Sequence, residues 1–387
     1  MNTFERDKQY IAGTYGRFPL EIVNGKGSLV YDENGKEYVD FGTGIAVNTF
    51  GVSDEEWVKA VTAQLIKCQH TSNLYYSEPC ARLAEELCLR TGMKKVFFGN
   101  SGAEANECAI KVARAYAAEK KDKDTYKIIT FKNSFHGRTI TTLAATGQDV
   151  FHQDFTPLTE GFLYAEVGDI EGVKKLIAEN KVAGIMLEPV QGEGGVVPMP
   201  KKFVTELAEI AAKEDILLII DEVQTGNGRT GMLYGYMNYG ITPDVVTTAK
   251  GLGGGLPIGA CLMGEKAEYV LGISKHGSTF GGNPVACAGA LNVLSRIDDA
   301  LLAQVKAKSE YIFKTLEGKK GVISVSGMGL MIGIKTERDA NEVIAELRDE
   351  GVLVIKAKDK VRLLPALNIP MELLEKSIET MCRIFAK

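Results

Sequence analysis

Residues 95–120 read KVFFGNSGAEANECAIKVARAYAAEK, a short apolar run followed by a long stretch rich in alanine. The run at 95–99 predicts a β-strand, and the stretch at 103–120 predicts an α-helix. Further strand-like runs follow along the chain, and helical patterns separate several of them. These runs cover 126–131, 182–188, 216–221 and 260–263. Strands that alternate with helices predict a mainly parallel sheet with helices on both faces, and therefore an α/β fold.

The two ends of the chain carry a different pattern. Residues 20–41 predict short antiparallel strands with turns at Asn24-Gly25 and Asn34-Gly35. Beyond a long helical stretch over 285–316, the tail alternates strands and helices. Its predicted strands cover 331–334, 352–355 and 361–364. Both ends together therefore predict a second, smaller α+β domain.

Length and composition limit the class of protein. The 387 residues exceed the size at which a single hydrophobic core usually stops growing. We therefore expect a large domain over 51–284 and a small domain from 1–50 and 285–387. The formal charge is 45 − 50 = −5, which argues against nucleic acid as the main partner, because a phosphate backbone requires a basic surface.

The sequence also predicts where the protein is found. No apolar run approaches the roughly 20 residues of a membrane helix, and the polar start MNTFERDKQY does not resemble a signal peptide. The seven cysteines contain no C-x-x-C pair, which argues against a disulfide framework and against a zinc site. We expect a cytoplasmic protein with free thiols, no metal and no membrane partner.

Residues 99–104 (GNSGAE) join the first strand to its helix. Small residues let backbone N–H groups approach an anion, and a helix N-terminus adds a partial positive charge. The Ser101 hydroxyl can donate to the same anion. The alternative is a plain helix N-cap at Ser101, with Glu104 completing a capping box. The motif alone leaves both interpretations open.

Asp221 ends the apolar run ILLII and begins the motif DEVQTG. A carboxylate at the end of a buried strand is costly unless it is paired. Such a group can hold a protonated pyridine nitrogen. The alternative is a carboxylate that is solvated in the loop after the strand.

Lys250 lies between the apolar segment 245–249 and the glycine-rich GLGGG at 251–255. A Schiff-base lysine must reach a carbonyl carbon in a crowded site, and neighbouring glycines leave room for cofactor and substrate. The alternative is a surface lysine beside a flexible loop.

The motif FHGR at 135–138 follows the strand predicted at 126–131. Phe135 can stack on a flat ring, and Arg138 can bind a carboxylate through two hydrogen bonds. The alternatives are a core phenylalanine and a surface arginine. His136 suits either catalysis or a structural hydrogen bond.

Taken in their order along the chain, these motifs resemble those of the fold-type I aminotransferases of class III, and within that group those that act on N-acetylornithine. The matching stretches are NSGAEANECAIKVARAY at 100–116, FHGRT at 135–139, EPVQGEGGV at 188–196, DEVQTGNGRTG at 221–231, PDVVTTAKGLGGGLPIGA at 243–260 and HGSTFGGNP at 276–284. The resemblance implies a seven-stranded sheet in the large domain and pyridoxal 5′-phosphate as the cofactor. It also implies transamination between N-acetylornithine and 2-oxoglutarate, a step of arginine biosynthesis.

The resemblance assigns roles around the cofactor ring by matching position. It implies that Lys250 holds the cofactor covalently and, once released, moves the proton of the reaction. Asp221 would pair with the ring nitrogen, which helps to delocalise the negative charge formed on the substrate carbon. Gln224 would contact the ring hydroxyl, and Phe135 would stack on the ring.

The resemblance places the cofactor phosphate on Ser101, Gly102 and Ala103. Thr279, together with Ser278, would complete this site from a neighbouring subunit. We therefore expect a homodimer with active sites at the interface.

Two arginines are implied to bind the carboxylates of the amino-acid and keto-acid substrates. Arg138 would bind the distant carboxylate of either substrate, and Arg362 would bind the α-carboxylate of glutamate. Glu193 would pair with Arg362 while the neutral arm of N-acetylornithine is present, because a lone buried arginine is costly. The alternative is an ordinary structural ion pair.

Other functions are compatible with the same residues. An aminotransferase for ornithine, succinylornithine or 4-aminobutyrate would use the same set, and so would an aminomutase on the same fold. A non-catalytic scaffold is a third alternative, but the intact Lys250 and Asp221 argue against it.

Overall fold

The computed structural model describes residues 1–387. The helices, in chain order, are α1 Thr3–Tyr10, α2 Thr43–Ala46, α3 Glu55–Lys67, α4 Glu78–Thr91, α5 Gly102–Lys120, α6 Ile140–Ala145, α7 Ile170–Glu179, α8 Lys201–Lys213, α9 Pro284–Ser295, α10 Asp299–Leu316, α11 Ala340–Asp349 and α12 Met371–Phe385. The strands are β1 Ile22–Lys26, β2 Leu29–Asp32, β3 Glu37–Asp40, β4 Lys95–Gly99, β5 Lys127–Phe131, β6 Phe162–Ala165, β7 Val182–Leu187, β8 Val190–Gln191, β9 Val197–Pro198, β10 Leu217–Asp221, β11 Val245–Thr248, β12 Gly259–Met263, β13 Val322–Met328, β14 Met331–Thr336, β15 Val352–Leu353, β16 Ile355–Ala357 and β17 Lys360–Leu363. Three short 3-10 turns cover Asp149–Phe151, Gly235–Asn238 and Lys250–Leu252.

A seven-stranded sheet forms the centre of the molecule, in the order β4-β12-β11-β10-β7-β5-β6. The strands from β11 to β6 pair in parallel, and β12 is antiparallel to both of its neighbours. The predicted α/β fold with a mainly parallel sheet is therefore confirmed. The strands β6 and β11 are ones that the sequence did not predict.

Helices cover both faces of this sheet because its inner strands are apolar on both sides. Every residue of β7, β10 and β11 is buried. In β10, Leu217 and Ile219 pack in the cluster that includes α5, whereas Leu218 and Ile220 pack in the cluster that includes α8. The alternation follows from the two-residue period of a strand.

The two ends of the chain form two four-stranded sheets. One has the order β1-β2-β3-β15 and the other the order β13-β14-β17-β16. The single strand predicted at 352–355 is wrong, because β15 pairs with the N-terminal strand β3 while β16 forms a hairpin with β17. The division of the chain at residues 50 and 284 stays a prediction.

One of the two predicted N-terminal turns is wrong. Asn24 and Gly25 lie inside β1, at a register irregularity, and the chain reverses at Gly27-Ser28 between β1 and β2. Gly25 does not form a turn but allows the backbone of β2 to come close to β1, since a Cβ there would lie 2.7 Å from the Leu29 carbonyl oxygen. The other predicted turn, which contains Gly35 with φ +79°, joins β2 to β3.

The helical stretch predicted over 285–316 is two helices. α9 ends at Ser295, and Asp298 caps α10 by accepting a hydrogen bond from the Leu301 N–H. The Arg296 guanidinium, at the break, pairs with Asp54. The cap at Asp298 and the ion pair of Arg296 with Asp54 therefore mark a break in a stretch whose composition predicts one long helix.

Two further findings concern the rest of the chain. No helix combines the length and the apolar character that a bilayer crossing requires. All seven cysteines are free, and Cys108, Cys261 and Cys287 are buried.

Candidate active site

Six strands of the central sheet have their carboxyl ends at one edge, and five of them lead into the site. These are β5, β7, β10 and β11, together with β4, which runs in the same direction because only β12 lies between it and β11. The loops that leave these ends enclose a cavity of about 450 Å³. Ligands of open α/β sheets bind at such an edge. The predicted site residues that line the cavity are Ser101, Gly102, Ala103, Phe135, Arg138, Asp221, Gln224 and Lys250.

Asp221 is buried at the end of β10, and both of its carboxylate oxygens are paired. Oδ2 accepts hydrogen bonds from Asn106 Nδ2 and His136 Nδ1, each at 2.8 Å. Oδ1 accepts a hydrogen bond from the Val223 N–H at 3.0 Å. These donors offset the cost of burying the charge. The group is therefore no solvated loop carboxylate, and it can pair with a protonated ring nitrogen in the cavity.

Asn106 is a cavity residue that the sequence analysis did not identify. Besides Asp221, its side chain contacts the His136 carbonyl oxygen, to which Nδ2 donates at 2.7 Å. Its Oδ1 accepts a hydrogen bond from Thr247 Oγ1 at 2.6 Å. The amide thus joins α5 to the ends of β10 and β11. No local pattern marks it, because an asparagine inside a helix is usually a surface residue.

Lys250 begins the 3-10 turn after β11, and its side chain lines the cavity. Its φ of +46° is uncommon for a residue other than glycine. Burial lowers the pKa of its amine, and the nearby Glu193 carboxylate opposes part of this shift. A lowered pKa favours the neutral amine, which is the form that attacks a carbonyl carbon. The geometry therefore favours the Schiff-base interpretation over a surface lysine.

The N-terminus of α5 forms another part of the cavity wall. Ser101 is its N-cap, since Oγ accepts a hydrogen bond from the Glu104 N–H at 3.2 Å and donates to Glu104 Oε2 at 3.0 Å. Gly102 and Ala103 occupy the first turn, where N–H groups have no partner within the helix. Both interpretations of this motif are therefore compatible with the structure. Ser101 caps the helix, and the residues after it present backbone donors to an anion.

Phe135 and Arg138 lie on the loop after β5. The Arg138 guanidinium lies 4.0 Å from the centre of the Phe151 ring and 5.4 Å from that of Phe135. Arg138 is exposed, so its guanidinium N–H groups can reach a carboxylate in the cavity. Gly137 between them has φ +142°, and a Cβ there would lie 2.4 Å from Thr142 Oγ1.

Arg362, Glu193 and Gln224 form a polar cluster beside the cavity. Arg362 Nη1 lies 2.6 Å from Glu193 Oε1 and donates to Gln224 Oε1 at 3.1 Å. Burial raises the pKa of Glu193, but the charges of Arg362 and Lys250 and the hydrogen bonds from Arg362 and Gln224 together outweigh burial and leave the pKa below its usual value. Arg362 Nε is buried without a partner. The ion pair inferred from the sequence is therefore present, and its arginine keeps a spare donor.

Glu188 is a second cavity residue whose role the sequence did not reveal. It follows β7 and is buried. Its Oε2 accepts a hydrogen bond from the Phe135 N–H at 2.9 Å, and Oε1 accepts one from the Gly192 N–H at 3.2 Å. Burial raises the pKa of Glu188 to about 7. The position of Glu188 directly after a buried strand is the feature of the sequence that could have indicated a site residue.

Ser278 and Thr279 lie outside this cavity. Ser278 Oγ accepts hydrogen bonds from Asn100 Nδ2 at 3.1 Å and from the Gly281 N–H at 2.9 Å. Thr279 is exposed. Both residues border a separate surface depression that also includes Leu74. Their predicted roles involve a second subunit and stay predictions.

The residues of the cavity fit pyridoxal 5′-phosphate. The helix N-terminus suits a phosphate, and the paired carboxylate of Asp221 suits a protonated ring nitrogen. The Lys250 amine suits an aldehyde, and Phe135 offers an aromatic face to a flat ring. The donor and acceptor set is therefore complementary to each part of this cofactor.

The close contact of Gly102 with the loop after β10 can be tested by substitution. A Cβ on Gly102 would lie 2.6 Å from Val223 Cγ1, so Gly102→Ala should push the N-terminus of α5 away from this loop. We expect the cofactor affinity to fall about 10-fold, or ~1.4 kcal/mol, because the backbone donors move away from the phosphate. A fluorescence titration of the cofactor-free protein measures this affinity.

Gly272→Ala is the matched control, because a Cβ there meets no atom within 4 Å. Its cofactor affinity should equal that of the unmodified protein. An unchanged affinity in Gly102→Ala would contradict the proposed phosphate site.

Comparison with known proteins identifies the family. The family model described as Aminotransferase class-III matches residues 10–385. The acetylornithine aminotransferase of Haemophilus ducreyi is 48% identical over 98% of this chain and 98% of its own, and that of Methanocaldococcus jannaschii is 41% identical over 100% and 98%. The structure of the ornithine aminotransferase from Toxoplasma gondii has a TM-score of 0.95 at 30% identity, covering 99% of this chain and 94% of its own. For the N-acetylornithine aminotransferase from Stenotrophomonas maltophilia the TM-score is 0.85 at 34% identity, with coverage of 99% and 98%. The chain belongs to the class-III aminotransferases, a family of pyridoxal-phosphate-dependent enzymes.

Proposed function

We propose that this protein transfers the δ-amino group of N-acetylornithine to 2-oxoglutarate, giving N-acetylglutamate 5-semialdehyde and glutamate. The reaction is a step of arginine biosynthesis, and we propose that it takes place in the cytoplasm. The observation that carries the proposal is the ion pair of Arg362 and Glu193 beside the cavity that contains Lys250. The names of the curated relatives support the choice of N-acetylornithine.

The cavity residues divide the work of the reaction. Bound pyridoxal phosphate supplies an electron sink for the substrate carbon. Asp221 would keep a proton on the ring nitrogen by pairing with it, while Phe135 would support the face of the ring and Gln224 would contact its hydroxyl group. Lys250 would hold the cofactor through Nζ, and its free amine would accept the proton that the substrate carbon bearing the amine loses.

The two arginines allow one cavity to accept two different amines. Arg138 binds the carboxylate that lies far from the reacting amine in either substrate. Arg362 binds the α-carboxylate of glutamate. When N-acetylornithine is bound, the substrate has no carboxylate at this position, and Arg362 pairs with Glu193 instead. The pairing limits the cost of an unpaired buried arginine, and the unpartnered Arg362 Nε supports a further acceptor in this region.

An ornithine aminotransferase is the second candidate function. The similarity in structure to the ornithine aminotransferase of Toxoplasma gondii favours it. Free ornithine carries a charged α-amino group in place of the neutral acetylated one, so the two substrates differ in charge beside the carboxylate that Arg138 binds.

We further propose a homodimer with shared active sites. Large apolar side chains are exposed next to Thr279, as expected of a surface that another subunit covers. They are Leu74, Tyr75, Tyr76 and Phe280, with exposed fractions of 87%, 73%, 106% and 60%. In such a dimer Thr279 would donate its hydroxyl to the cofactor phosphate of the neighbouring subunit.

The visible absorption spectrum of the purified protein tests the reaction. Addition of N-acetylornithine without a keto acid should convert the yellow form of the bound cofactor into its colourless amine form.

Lys250→Ala should abolish turnover but retain weak cofactor binding, because Lys250 supplies both the covalent attachment and the proton transfer. Bleaching by ornithine alone would transfer the proposal to the second candidate, and an active Lys250→Ala variant would refute the role of Lys250.

Arg362→Ala tests the discrimination between the two amines. The substitution should slow the half-reaction with glutamate by about 2–4 kcal/mol of transition-state stabilisation, the usual loss for a buried charge-assisted pair. The half-reaction with N-acetylornithine should lose far less, since this substrate has no charge to place on Arg362. Stopped-flow absorbance measures both rates.

Arg383→Ala is the control for this comparison, because Arg383 lies on the surface of α12 and pairs only with Glu350. It should leave both rates unchanged. Equal losses in the two half-reactions of Arg362→Ala would argue against the exchange of Arg362 between Glu193 and substrate.

Thr279→Ala tests the shared active site. Loss of a hydrogen bond to a charged phosphate costs about 1.5–3 kcal/mol, so cofactor affinity should fall at least about 10-fold. Sedimentation with detection at the cofactor absorbance should also show that dilution to monomers releases the cofactor. Thr380→Ala, at a surface threonine of α12, is the control and should leave the cofactor affinity unchanged. Tight cofactor binding by a proven monomer would exclude the proposed contact.

A further inference from the structure

The turn that carries Lys250 depends on contacts from other elements. Lys250 has φ +46°, and a side chain keeps this unfavourable conformation only where its surroundings fix it. Within the turn, the Leu252 N–H donates to the Ala249 carbonyl oxygen at 2.9 Å, and the Gly253 N–H donates to that of Lys250 at 3.0 Å. These local hydrogen bonds shape the turn, so the direction of the Lys250 side chain depends on what holds the turn against the rest of the molecule.

Thr49, after α2, contacts the residue that follows Lys250. Its side chain is buried, and Oγ1 donates to the Gly251 carbonyl oxygen at 2.7 Å. A Cβ on Gly251 would lie 2.8 Å from Thr49 Oγ1, so glycine at this position permits the approach. The backbone of Thr49 is fixed in turn, because its carbonyl oxygen accepts a hydrogen bond from the Leu367 N–H at 2.9 Å. Thr49 therefore ties the turn of Lys250 to the segment that follows β17.

Asn227, on the loop after β10, contacts the two residues that precede Lys250. Its Nδ2 donates to the Ala249 carbonyl oxygen at 3.3 Å and to Thr248 Oγ1 at 3.0 Å. Because the Ala249 carbonyl oxygen can only accept, the nitrogen of the amide must face it. Side chains from two distant parts of the chain thus hold the backbone on both sides of Lys250.

The amide of Asn227 carries a cost that its nitrogen must offset. Oδ1 is buried and has no hydrogen-bond partner, and a buried polar atom without a partner is destabilising. The backbone does not require an amide either, since glycine adopts the φ of +57° more freely. The contacts of Nδ2 with Thr248 and Ala249 therefore account for asparagine at this position.

We propose that Thr49 and Asn227 are positioning residues for Lys250. Their hydrogen bonds hold the turn at positive φ and thereby direct the Lys250 amine into the cavity. Neither of the two side chains lines the cavity, so both act through Lys250 and not by contact with cofactor or substrate. The inference rests on the proposed function, in which Lys250 attaches the cofactor, and names the side chains that fix the direction of its amine.

The rate of cofactor attachment tests this inference without any substrate turnover. Attachment joins Lys250 Nζ to the aldehyde carbon of pyridoxal phosphate, and the aldehyde oxygen leaves as water. Thr49→Val keeps the shape of the side chain and removes its hydroxyl. In the full-length, cofactor-free variant at saturating pyridoxal phosphate, the yellow colour of the attached cofactor should develop about 10-fold more slowly, because the amine is misdirected. Stopped-flow absorbance measures this rate.

Pyridoxamine phosphate separates positioning from damage to the cavity. It has no aldehyde, so its affinity depends on the cavity and not on attachment to Lys250. A fluorescence titration should give the same affinity for Thr49→Val as for the unmodified protein. A weakened affinity would show that the substitution disturbs the whole cavity and would overturn the inference.

Two variants control for the loss of a buried hydroxyl. Thr49→Ser retains the donor and should attach the cofactor at the unmodified rate. Thr336→Val removes a buried hydroxyl at the end of β14, where Oγ1 donates to the Arg338 carbonyl oxygen at 2.8 Å. This variant should leave both the attachment rate and the pyridoxamine phosphate affinity unchanged.

Asn227→Gly tests the second contact independently. Glycine allows the same backbone conformation and removes only the amide, so attachment should again be slow while pyridoxamine phosphate binds normally. Unmodified attachment rates in both Asn227→Gly and Thr49→Val would overturn the inference and leave the role of Lys250 intact. Attachment that persists in Lys250→Ala would overturn both. A protein whose attachment depends on Thr49 but which does not transaminate would refute only the proposed reaction.

Discussion

The buried charge of Asp221 is the constraint on which the site depends. A carboxylate between the inner strands of an apolar sheet destabilises the fold unless donors surround it. Asn106 supplies one donor from α5, and His136 supplies another from the loop after β5. Because these donors come from separate elements, pairing Asp221 fixes how both elements approach the sheet. The N-terminus of α5 and the ring of Phe135 reach the cavity as a result.

A second buried charge joins this edge of the sheet to the C-terminal strands. Arg229, on the loop that follows β10, has no carboxylate partner, and its Nη1 donates to the carbonyl oxygens of Leu330 and Pro365. Burial lowers the pKa of Arg229 to about 9. The Leu330 N–H donates in turn to the Arg229 carbonyl oxygen at 2.9 Å. The loop after Asp221 and the strand that carries Arg362 are thus parts of one hydrogen-bonded frame.

Local patterns in the sequence predict those parts of the structure that local physics determines. Apolar runs predict most strands of the central sheet, and the glycines after Lys250 indicate a crowded site. The contacts of Asp221 with Asn106 and His136 join residues 115 and 85 positions apart, so no local pattern reveals them. The break between α9 and α10 likewise coincides with the contact of Arg296 with the distant Asp54. Asn106 and Glu188, whose partners lie in other elements, are therefore the cavity residues whose roles the sequence left unassigned.

The left-handed backbone at Lys250 bears on how such an enzyme can evolve. A side chain in this conformation costs about 1–2 kcal/mol, whereas glycine adopts it freely. Selection for thermal stability alone would therefore replace this lysine with glycine. The residue persists only while selection for turnover exceeds that advantage. Position 250 is thus a point where adaptation to heat and adaptation for catalytic rate oppose each other.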